Sequence, residues 1–412
     1  MSLLYTLSIR LYGFFVSIAA LVFKNPKAVK WLEGRKNLRE QLKKQDLSGC
    51  IWMHCASLGE FEQGRSVLEG IAKANPDQKL LLTFFSPSGY EVRKNYNGAD
   101  YVCYLPLDTR ANAKWFLDEV QPSKVIFVKY EFWFNLLYEL RSRKIDHFLI
   151  SGIFRESQHF FKFYGAWFRQ ALHGFNTLFV QNEESAKLLA DKGIESVLAG
   201  DTRFDRVHEV VQEATPVPLI EKFAGDSSVL VLGSSWLEDE RLAAKITLPK
   251  NWKLLIVPHE VDSHHINEIK KIFEEALSFS DATMGNVSDC SVLVVDQIGL
   301  LSRIYRYASL AWIGGGFSAG VHNTLEAAAY GIPVVCGPNN SKFKEIQDLK
   351  SCDGLLEINK SDLANLDALI VDLQRMQSMG RNAQKYVNSK LGGSQLAIDA
   401  MGITKKKVSG LV

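Results

Sequence analysis

Residues 310–338, LAWIGGGFSAGVHNTLEAAAYGIPVVCGP, are the stretch that decides the fold. The apolar run Leu310–Ile313 is typical of a buried strand, three glycines follow it at 314–316, and a second apolar run begins at Val334. Between the two runs the sequence predicts a short helix. The stretch therefore has the order strand, helix, strand that is typical of a parallel sheet.

The predicted helix has a recognisable start and end. Asn323, followed three positions later by Glu326, resembles a capping box, while Gly331 and Pro333 predict the helix end. Glycine lets backbone amides approach a ligand closely, and a helix N-terminus attracts negative charge. A strand, a glycine turn and a helix start therefore predict a site for an anionic group such as a nucleotide phosphate. The alternative is an ordinary tight turn that binds no ligand.

Length and composition indicate an ordinary globular protein of two domains. The chain has 412 residues, of which 47% are hydrophobic and 23% charged, and this length is large for one core. The net charge of +2 gives no overall attraction to nucleic acid, so no nucleic-acid partner is expected. Six cysteines without a C-x-x-C pair favour buried thiols in a reducing cytosol over disulfides or zinc. They stand at positions 50, 55, 103, 290, 336 and 352.

The N-terminus has a different character. From residue 3 to residue 23 Arg10 is the only charged side chain, and the segment approaches the ~20 apolar residues that span a bilayer. Basic residues follow at 24, 27, 30, 35 and 36, and these would stay on the cytoplasmic side. No cleavage site of a signal peptide is evident. We expect residues 1–36 to associate with a membrane from its cytoplasmic face, either spanning it or lying in its interface, rather than being buried in the protein.

Strand-like and helix-like runs alternate along the rest of the chain, which predicts parallel sheets covered on both faces. In the first half, strands are predicted at 50–55, 79–84, 101–104, 124–128, 147–150 and 177–181. In the second half, they are predicted at 229–233, 253–257, 291–295, 310–313 and 334–336. Two prolines in ATPVPL interrupt the alternation near Thr215. We therefore expect an α/β protein with two Rossmann-like domains, at 37–214 and 215–412.

Two glutamates follow predicted strands of the first half. Glu60, in HCASLGEFEQG, stands where a helix begins, and the helix dipole would favour its anion. It is a candidate general base for a substrate hydroxyl, with Glu62 as a neighbouring competitor. The alternative is that Glu60 merely occupies the first helical turn. Glu131, in VKYEFWFN, follows a second strand, and Arg203, in GDTRFD, could neutralise a phosphate or a carboxylate.

Three familiar motifs can be set aside. The G-x-S-x-G match at 316–320 requires an acid and then a histidine after Ser318, but the last histidine of the chain, His322, follows four residues later with no acid between. The histidines of HEVDSHH, at 259–265, are spaced one residue too far apart for H-E-x-x-H, so no metal site is expected. No G-x-x-x-x-G-K-[ST] occurs, which argues against a P-loop ATPase.

Taken together, several segments resemble the Kdo (3-deoxy-D-manno-octulosonic acid) transferases that act on lipid A. The segments are the apolar N-terminus, ASLGE, TFFSPSGYE, YLPLDT, VKYEFWFN, GDTRFD, DQIGLLSRIYRYASLAWIGGG and HNTLEAAAYGIPVVCGP. The resemblance implies a GT-B fold, in which two Rossmann-like domains face a central cleft. It also implies an inverting glycosyltransferase of lipopolysaccharide core biosynthesis on the cytoplasmic side of the inner membrane. The donor would be CMP-Kdo, and the acceptor a hydroxyl of the lipid A precursor lipid IVA or of an attached Kdo.

The resemblance further implies roles for individual residues. Glu60 matches the base that deprotonates the acceptor, and Glu131 and Arg203 match positions that assist the transition state. The positions that match CMP contacts are Pro258, His259, Ile298, Gly299, Leu300, Asn323, Thr324, Leu325 and Glu326. No metal is expected, because helix N-termini and Arg203 would neutralise the departing phosphate. His259 stands where many relatives have arginine, and Trp236 where they often have histidine.

Two other functions stay open. The arrangement around Glu326 is also typical of GT-B transferases or epimerases that use a UDP-sugar. A nucleotide-binding membrane adaptor without catalytic activity is the non-enzymatic alternative. One candidate base without a second, covalent carboxylate fits inversion by direct displacement, by analogy with glycosidases.

Overall fold

The computed structural model describes residues 2–318, 320–361 and 363–403. Within them the chain forms two compact units. The first unit runs up to Arg206 and resumes at Leu391, and the second unit comprises Val207–Lys390. This division differs from the expected domains 37–214 and 215–412 in two places. The boundary falls inside a helix that begins before Thr215, and the last part of the chain packs on the first unit rather than the second.

The first unit is built on a parallel sheet of seven strands. The strands are β1 Ile51–Cys55, β2 Leu80–Phe84, β3 Tyr101–Tyr104, β4 Lys124–Val128, β5 Asp146–Gly152, β6 Thr177–Val180 and β7 Val197–Leu198. The helices are α1 Ser2–Leu21, α2 Pro26–Glu33, α3 Leu38–Leu42, α4 Leu58–Ala74, α5 Pro87–Arg93, α6 Arg110–Val120, α7 Phe134–Ser142, α8 Ala166–Leu172 and α9 Glu183–Ala190, with a 3-10 turn at His159–Phe161. The strands predicted for this half are confirmed, and β7 is additional.

The order of strands in this sheet creates a switch point. The order is β3-β2-β1-β4-β5-β6-β7, so successive strands are added on one side of β1 and then, from β4, on the other. Strand β1 is buried at every position, and its residue Ile51 lies opposite Leu80 of β2 and Lys124 of β4. Burial on both faces explains the uninterrupted apolar runs in the sequence. Open α/β sheets bind ligands at the carboxyl ends of the strands that flank such a point.

Helix α10, Arg203–Glu213, leads from the first unit into the second, which contains another parallel sheet of seven strands. Its strands are β8 Ser228–Ser235, β9 Trp252–Pro258, β10 Leu277–Ser278, β11 Val292–Val294, β12 Leu310–Ile313, β13 Val334–Cys336 and β14 Leu355–Glu357. Its helices are α11 Pro218–Ala224, α12 Leu237–Ala243, α13 Ser263–Ile272, α14 Leu301–Ile304, α15 Leu325–Ala329, α16 Lys344–Ser351, α17 Ala364–Val371 and α18 Leu373–Asn388, with 3-10 turns at Val287–Asp289 and Tyr305–Tyr307.

The second sheet has a switch point like that of the first, although β10 and β11 at its edge are not in chain order. Its order is β10-β11-β9-β8-β12-β13-β14, and the switch point lies between β8 and β12. The five strands predicted for this half are confirmed, while the short edge strands β10 and β14 are additional. The expected α/β architecture of two Rossmann-like units is therefore confirmed.

The last described helix, α19 Gly393–Ala400, belongs to the first unit. Ala397 and Ile398 join the apolar core that contains Phe61 of α4. The carboxylate of Asp205 accepts hydrogen bonds from the backbone N–H groups of Gly392 and Ser394, at 2.6 and 2.7 Å. Asp205 thus satisfies N–H groups at the start of the helix, which otherwise lack partners.

The N-terminal helix α1 lies with one side against the first unit. The hydroxyl of Tyr5 donates to Asp108 at 2.7 Å, and the Tyr5 ring packs edge-on against Phe134. The opposite side carries exposed apolar side chains: Leu3, Leu4, Leu7, Leu11, Phe14, Phe15 and Leu21. Among the described residues, Leu3–Leu21 is the one helix long and apolar enough to cross a membrane, and only 6% of its most apolar window is buried. The helix is therefore not part of the protein core.

Candidate active site

The two predicted catalytic glutamates lie at the switch point of the first sheet. Glu60 is in the first turn of α4, which follows β1, and Glu131 is in the loop that follows β4. Strands β1 and β4 are neighbours, and the strand order reverses between them. The structure therefore brings both carboxylates to the edge of the sheet at which this fold binds ligands.

The environment of Glu60 suits a general base. Ser57 donates a hydrogen bond from Oγ to Glu60 Oε2 at 2.7 Å. Burial raises the pKa of Glu60, and the negative charge of Glu131 raises it further. The expectation that the helix dipole favours the anion is thus outweighed by desolvation. A carboxylate with a raised pKa is a stronger base near neutral pH.

Glu131 is held by two ring N–H groups. The side chain is only 6% exposed. Its Oε2 lies 3.1 Å from Nε2 of His54 and 2.6 Å from Nε1 of Trp133. Phe132, the residue after Glu131, packs with Phe154 and Phe160 at ring distances of 6.0 and 4.8 Å, so its side chain belongs to the core.

Arg203 stands at the start of α10 and is paired with an acid. Its Nε donates to Asp201 Oδ2 at 2.8 Å. The preceding residue, Thr202, is buried and donates from Oγ1 to the carbonyl oxygen of Gln63 in α4. This bond ties the GDTRFD loop to the helix that carries Glu60. The competitor Glu62 is instead engaged with Arg93 at 2.7 Å, which favours Glu60 as the reactive carboxylate.

The residues predicted to contact a nucleotide gather along one edge of the second sheet. Pro258 and His259 end β9, the loop 298–300 follows β11, and 323–326 follows β12. Strands β11, β9, β8 and β12 are neighbours in that order, so the structure brings all three segments to the same carboxyl edge. The loop after β11 is open, since Ile298 is 86% exposed.

The glycine run serves the protein itself rather than a ligand. The backbone N–H of Gly314 donates to Gly233, and that of Gly315 donates to the buried carboxylate of Asp239, both at 2.9 Å. A Cβ atom at Gly314 would lie 2.4 Å from the carbonyl oxygen of Ser234. Tight packing between strand ends therefore requires these glycines. The expectation that their amides face a phosphate is wrong for Gly314 and Gly315, because both amides are already used.

The helix after this turn also differs from the expectation. Helix α15 has five residues and begins at Leu325, whose N–H donates to Asn323 Oδ1 at 3.1 Å. Glu326 accepts from the side-chain amide of Asn323 at 2.9 Å, and this side-chain pair differs from the backbone bonds of a capping box. Gly331 ends the helix with a φ of +75°, as predicted. Such a short helix has little dipole to offer a phosphate, and side chains must supply more of the recognition.

Three rings form a stack at this edge of the second sheet. Trp236, after β8, donates from Nε1 to Nε2 of His322 at 2.9 Å, and the two rings are nearly coplanar, at 11°. His259 stacks on both, with ring centroids 4.9 Å from Trp236 and 4.2 Å from His322. Because an indole N–H only donates, Nε2 of His322 is an acceptor and Nδ1 carries the proton. Burial, with a smaller effect of His259, lowers the pKa of His322 to about 4, so this ring is neutral.

Two buried acids support the stack. Asp239 Oδ2 accepts from the backbone N–H of Trp236 at 3.0 Å as well as from Gly315, and so joins the ends of β8 and β12. Glu240 accepts from Ser235 Oγ at 2.7 Å and lies 3.0 Å from His265 Nε2. Sequence reasoning noted Trp236 only as a departure from relatives and assigned no role to Asp239. The segment GSSWLEDE directly after a buried strand is the signal that could have identified both.

Two parallel sheets with polar residues at their switch points define a GT-B-type protein, and comparison with known structures agrees. A crystal structure of UDP-N-acetylglucosamine 2-epimerase has a TM-score of 0.60 and 12% sequence identity, covering 89% of this chain and 100% of that one. At this identity the likeness shows the fold alone.

Sequence comparisons show similarity to one family. A family model described as 3-deoxy-D-manno-octulosonic-acid transferase (kdotransferase) matches residues 31–206. The 3-deoxy-D-manno-octulosonic acid transferase of Aquifex aeolicus is 27% identical over 77% of this chain and 83% of that protein. The enzyme of the same name from Rickettsia bellii is 24% identical over 94% and 98%, respectively. These matches show that the chain is similar to Kdo transferases over most of its length, and they indicate a glycosyltransferase.

Proposed function

We propose that the protein transfers Kdo from CMP-Kdo to a hydroxyl of a lipid A precursor such as lipid IVA, in the biosynthesis of the lipopolysaccharide core. The observation that carries the proposal is the position of Glu60. It is a partly buried carboxylate with a raised pKa, beside a second carboxylate, at the switch point of the first sheet. The similarity to Kdo transferases supports the identity of the sugar.

In this reaction Glu60 acts as the general base. Its carboxylate accepts the proton of the acceptor hydroxyl, while Ser57 donates a hydrogen bond to Oε2. The acceptor oxygen forms a bond to the anomeric carbon of Kdo as the bond from that carbon to the phosphate oxygen of CMP breaks. CMP leaves with the electron pair, and attack from the opposite side inverts the anomeric configuration. A positioned base of this kind contributes roughly 10²–10⁴-fold to the rate.

The remaining predicted residues are assigned to the donor and to the developing charge. Arg203, with Glu131, assists the transition state, and the guanidinium offsets negative charge on the departing phosphate. Segments 258–259, 298–300 and 323–326 supply contacts to the nucleotide. We propose that these groups suffice without a metal ion, so that transfer in the presence of EDTA equals transfer without it.

Membrane association is the part of the proposal that concerns α1. The exposed Leu and Phe side chains on its outer face would enter the bilayer, and the basic residues that follow would meet anionic headgroups. The bonds of Tyr5 to Asp108 and of Thr6 to Asn135 support a helix that lies in the cytoplasmic interface of the inner membrane rather than across it. This arrangement would keep the first unit close to a glycolipid acceptor.

Mass spectrometry of lipid IVA after incubation with CMP-Kdo tests the proposal directly and counts the sugars added. Glu60→Gln is expected to lose roughly 10²–10⁴-fold in turnover while CMP still binds in calorimetry. Glu62→Gln is the matched control and is expected to retain activity, because Glu62 is engaged with Arg93. Near wild-type turnover of Glu60→Gln would refute the assignment of the base. Tighter binding of UDP than of CMP would refute the donor and favour a UDP-sugar enzyme.

A further inference from the structure

A buried chain of hydrogen bonds runs through the first sheet to Glu131. Trp52 and His54 lie on β1 and Thr83 on β2, with His54 directly opposite Thr83. Nε1 of Trp52 donates to Oγ1 of Thr83 at 2.8 Å, and Nδ1 of His54 lies 2.8 Å from the same oxygen. Nε2 of His54 lies 3.1 Å from Oε2 of Glu131. Trp52, His54 and Thr83 have no exposed surface.

The donors and acceptors of this chain have one consistent assignment. The indole N–H of Trp52 can only donate, so Thr83 Oγ1 accepts it. The hydroxyl proton of Thr83 then points to Nδ1 of His54, which accepts. The imidazole proton is therefore on Nε2, and it is donated to Glu131. In this arrangement each N–H and O–H group of Trp52, Thr83 and His54 has an acceptor, and Nδ1 of His54 has a donor.

The other protonation states of His54 leave a group unsatisfied. With the proton on Nδ1, a lone pair of Nε2 would face the carboxylate oxygen of Glu131 at 3.1 Å. With both nitrogens protonated, the buried hydroxyl of Thr83 would have no acceptor among its contacts in the described structure. Leaving a buried polar group without a partner is costly. The sheet therefore selects the neutral form with the proton on Nε2.

This selection determines the orientation of Glu131. The N–H groups of His54 and Trp133 both donate to Oε2, at 3.1 and 2.6 Å. Oε1 receives neither of these bonds and remains the oxygen available for other partners. Because the ring of His54 is enclosed by β-strand residues, the carboxylate cannot rotate without breaking both bonds.

We propose that His54 is a positioning residue, which fixes the carboxylate of Glu131 with Oε1 free at the switch point, and that Thr83 and Trp52 select the tautomer that does so. The inference rests on the proposed function, in which Glu131 assists the transfer. The negative charge of Glu131 also raises the pKa of Glu60, which indicates that the two carboxylates interact.

A matched pair of variants tests the inference. Thr83→Val keeps the size of the side chain but removes the hydroxyl, and Thr83→Ser restores it. Thr83 does not belong to the predicted substrate contacts. Nitrogen-15 NMR of the full chain labelled in histidine reports the tautomer of His54, and steady-state kinetics separate kcat from KM for CMP-Kdo.

We expect the wild type and Thr83→Ser to show the Nε2–H tautomer and to agree in kcat within about twofold. Thr83→Val is expected to lose that tautomer and to fall by up to about 10²-fold in kcat, the effect of a misplaced catalytic group, with KM nearly unchanged. Trp52→Phe, which keeps ring packing against Phe116 at about the present 4.9 Å, is the second variant in case Thr83→Val does not fold. It is expected to change the tautomer in the same direction.

The outcomes separate this inference from the proposed function. An Nδ1–H tautomer in the wild type, or an altered tautomer in Thr83→Val with full kcat, would overturn the positioning role while leaving Kdo transfer intact. Absence of Kdo transfer by the wild type would instead overturn the proposed function, and the catalytic role of Glu131 with it. Loss of kcat in Thr83→Val with rescue in Thr83→Ser would support the inference.

Discussion

Asp239→Asn should remove a loss of folding stability that the second unit shows as the pH rises. Asp239 is fully buried. Its Oδ2 accepts two backbone N–H groups, from Trp236 and Gly315, whereas Oδ1 has no hydrogen-bond partner among the residues that the structure describes. Burial, with a smaller contribution from the neighbouring acid Glu240, raises the pKa of Asp239 to about 6. The charged form is therefore poorly compensated in the folded protein.

The sign and size of the effect follow from this pKa. The folded state holds the proton of Asp239 more tightly than the unfolded chain, whose pKa is near 3.8. The stabilisation from protonation is thus complete below pH 4 and is lost as the pH rises through 6. Since each pKa unit corresponds to about 1.4 kcal/mol, the loss reaches about 3 kcal/mol above pH 7. In Asp239→Asn, the amide oxygen accepts both N–H groups and no charge forms.

Calorimetric unfolding between pH 4 and pH 8 measures this difference. Relative to wild type, the Tm of the second unit in Asp239→Asn should rise with pH, by up to roughly 10 °C, since 1 kcal/mol corresponds to about 2–4 °C in a domain of this size. Asp367→Asn, an exposed carboxyl on α17 of the same unit, is the control and should show a constant difference. A constant or falling difference for Asp239→Asn would show that the carboxylate is compensated in the folded state and would refute the reasoning.

Three further predictions concern the stack, the glycine turn and the N-terminal helix. Trp236→Phe keeps the ring stacking but removes the bond to His322, so calorimetry should show CMP binding roughly 3–10-fold weaker; unchanged affinity would exclude a role for the tautomer of His322. Gly315→Ala should destabilise the protein by several kcal/mol in urea titrations, because φ is +86° and the new Cβ would lie 2.3 Å from a carbonyl oxygen; unaltered stability would contradict this. Phe14→Asp should abolish flotation with anionic vesicles at unchanged Tm. Val371→Asp, at another exposed apolar position, in the second unit, should float like the wild type; equal flotation of both variants would exclude α1 as the contact.

The architecture could be predicted from the sequence because the strands of a parallel sheet are buried on both faces. Such strands appear as continuous apolar runs, and β1 with its sequence IWMHC is buried at every position. The strands that sequence analysis missed, β7, β10 and β14, have two or three residues each and carry no recognisable pattern. The position of Glu60 at a strand end was also predictable, since the carboxyl edge of the sheet follows from the strand order once parallel pairing is assumed.

Contacts between distant residues could not be predicted in the same way. Trp236 and His322 are 86 positions apart and meet only because β8 and β12 are neighbours in the sheet. The same holds for Asp205. Its carboxylate accepts hydrogen bonds from the N–H groups at the start of α19, which are 187 and 189 positions later in the chain. Nothing in the local pattern around either residue indicates its partner. The assignment of the last helix to the first unit depends on such a contact.

The glycine run shows why a local motif can predict the correct fold and the wrong chemistry. Three glycines after a strand can allow the close approach either of a ligand or of another strand end. In both cases a Cβ atom would be in the way, so both cases require glycine. Only the neighbours distinguish them, and here these are Ser234 at Gly314 and Gly337 at Gly316, with the N–H of Gly315 committed to Asp239. If the second sheet binds an anionic nucleotide, the N–H groups that donate to it must therefore be mainly ones that are not already bonded to the protein backbone. The N–H at Nδ1 of His322 and the side-chain amide of Asn323 are side-chain donors of this kind. Because Trp236 is bonded to His322, a mutation of Trp236 is more informative about nucleotide recognition than a mutation of the glycines.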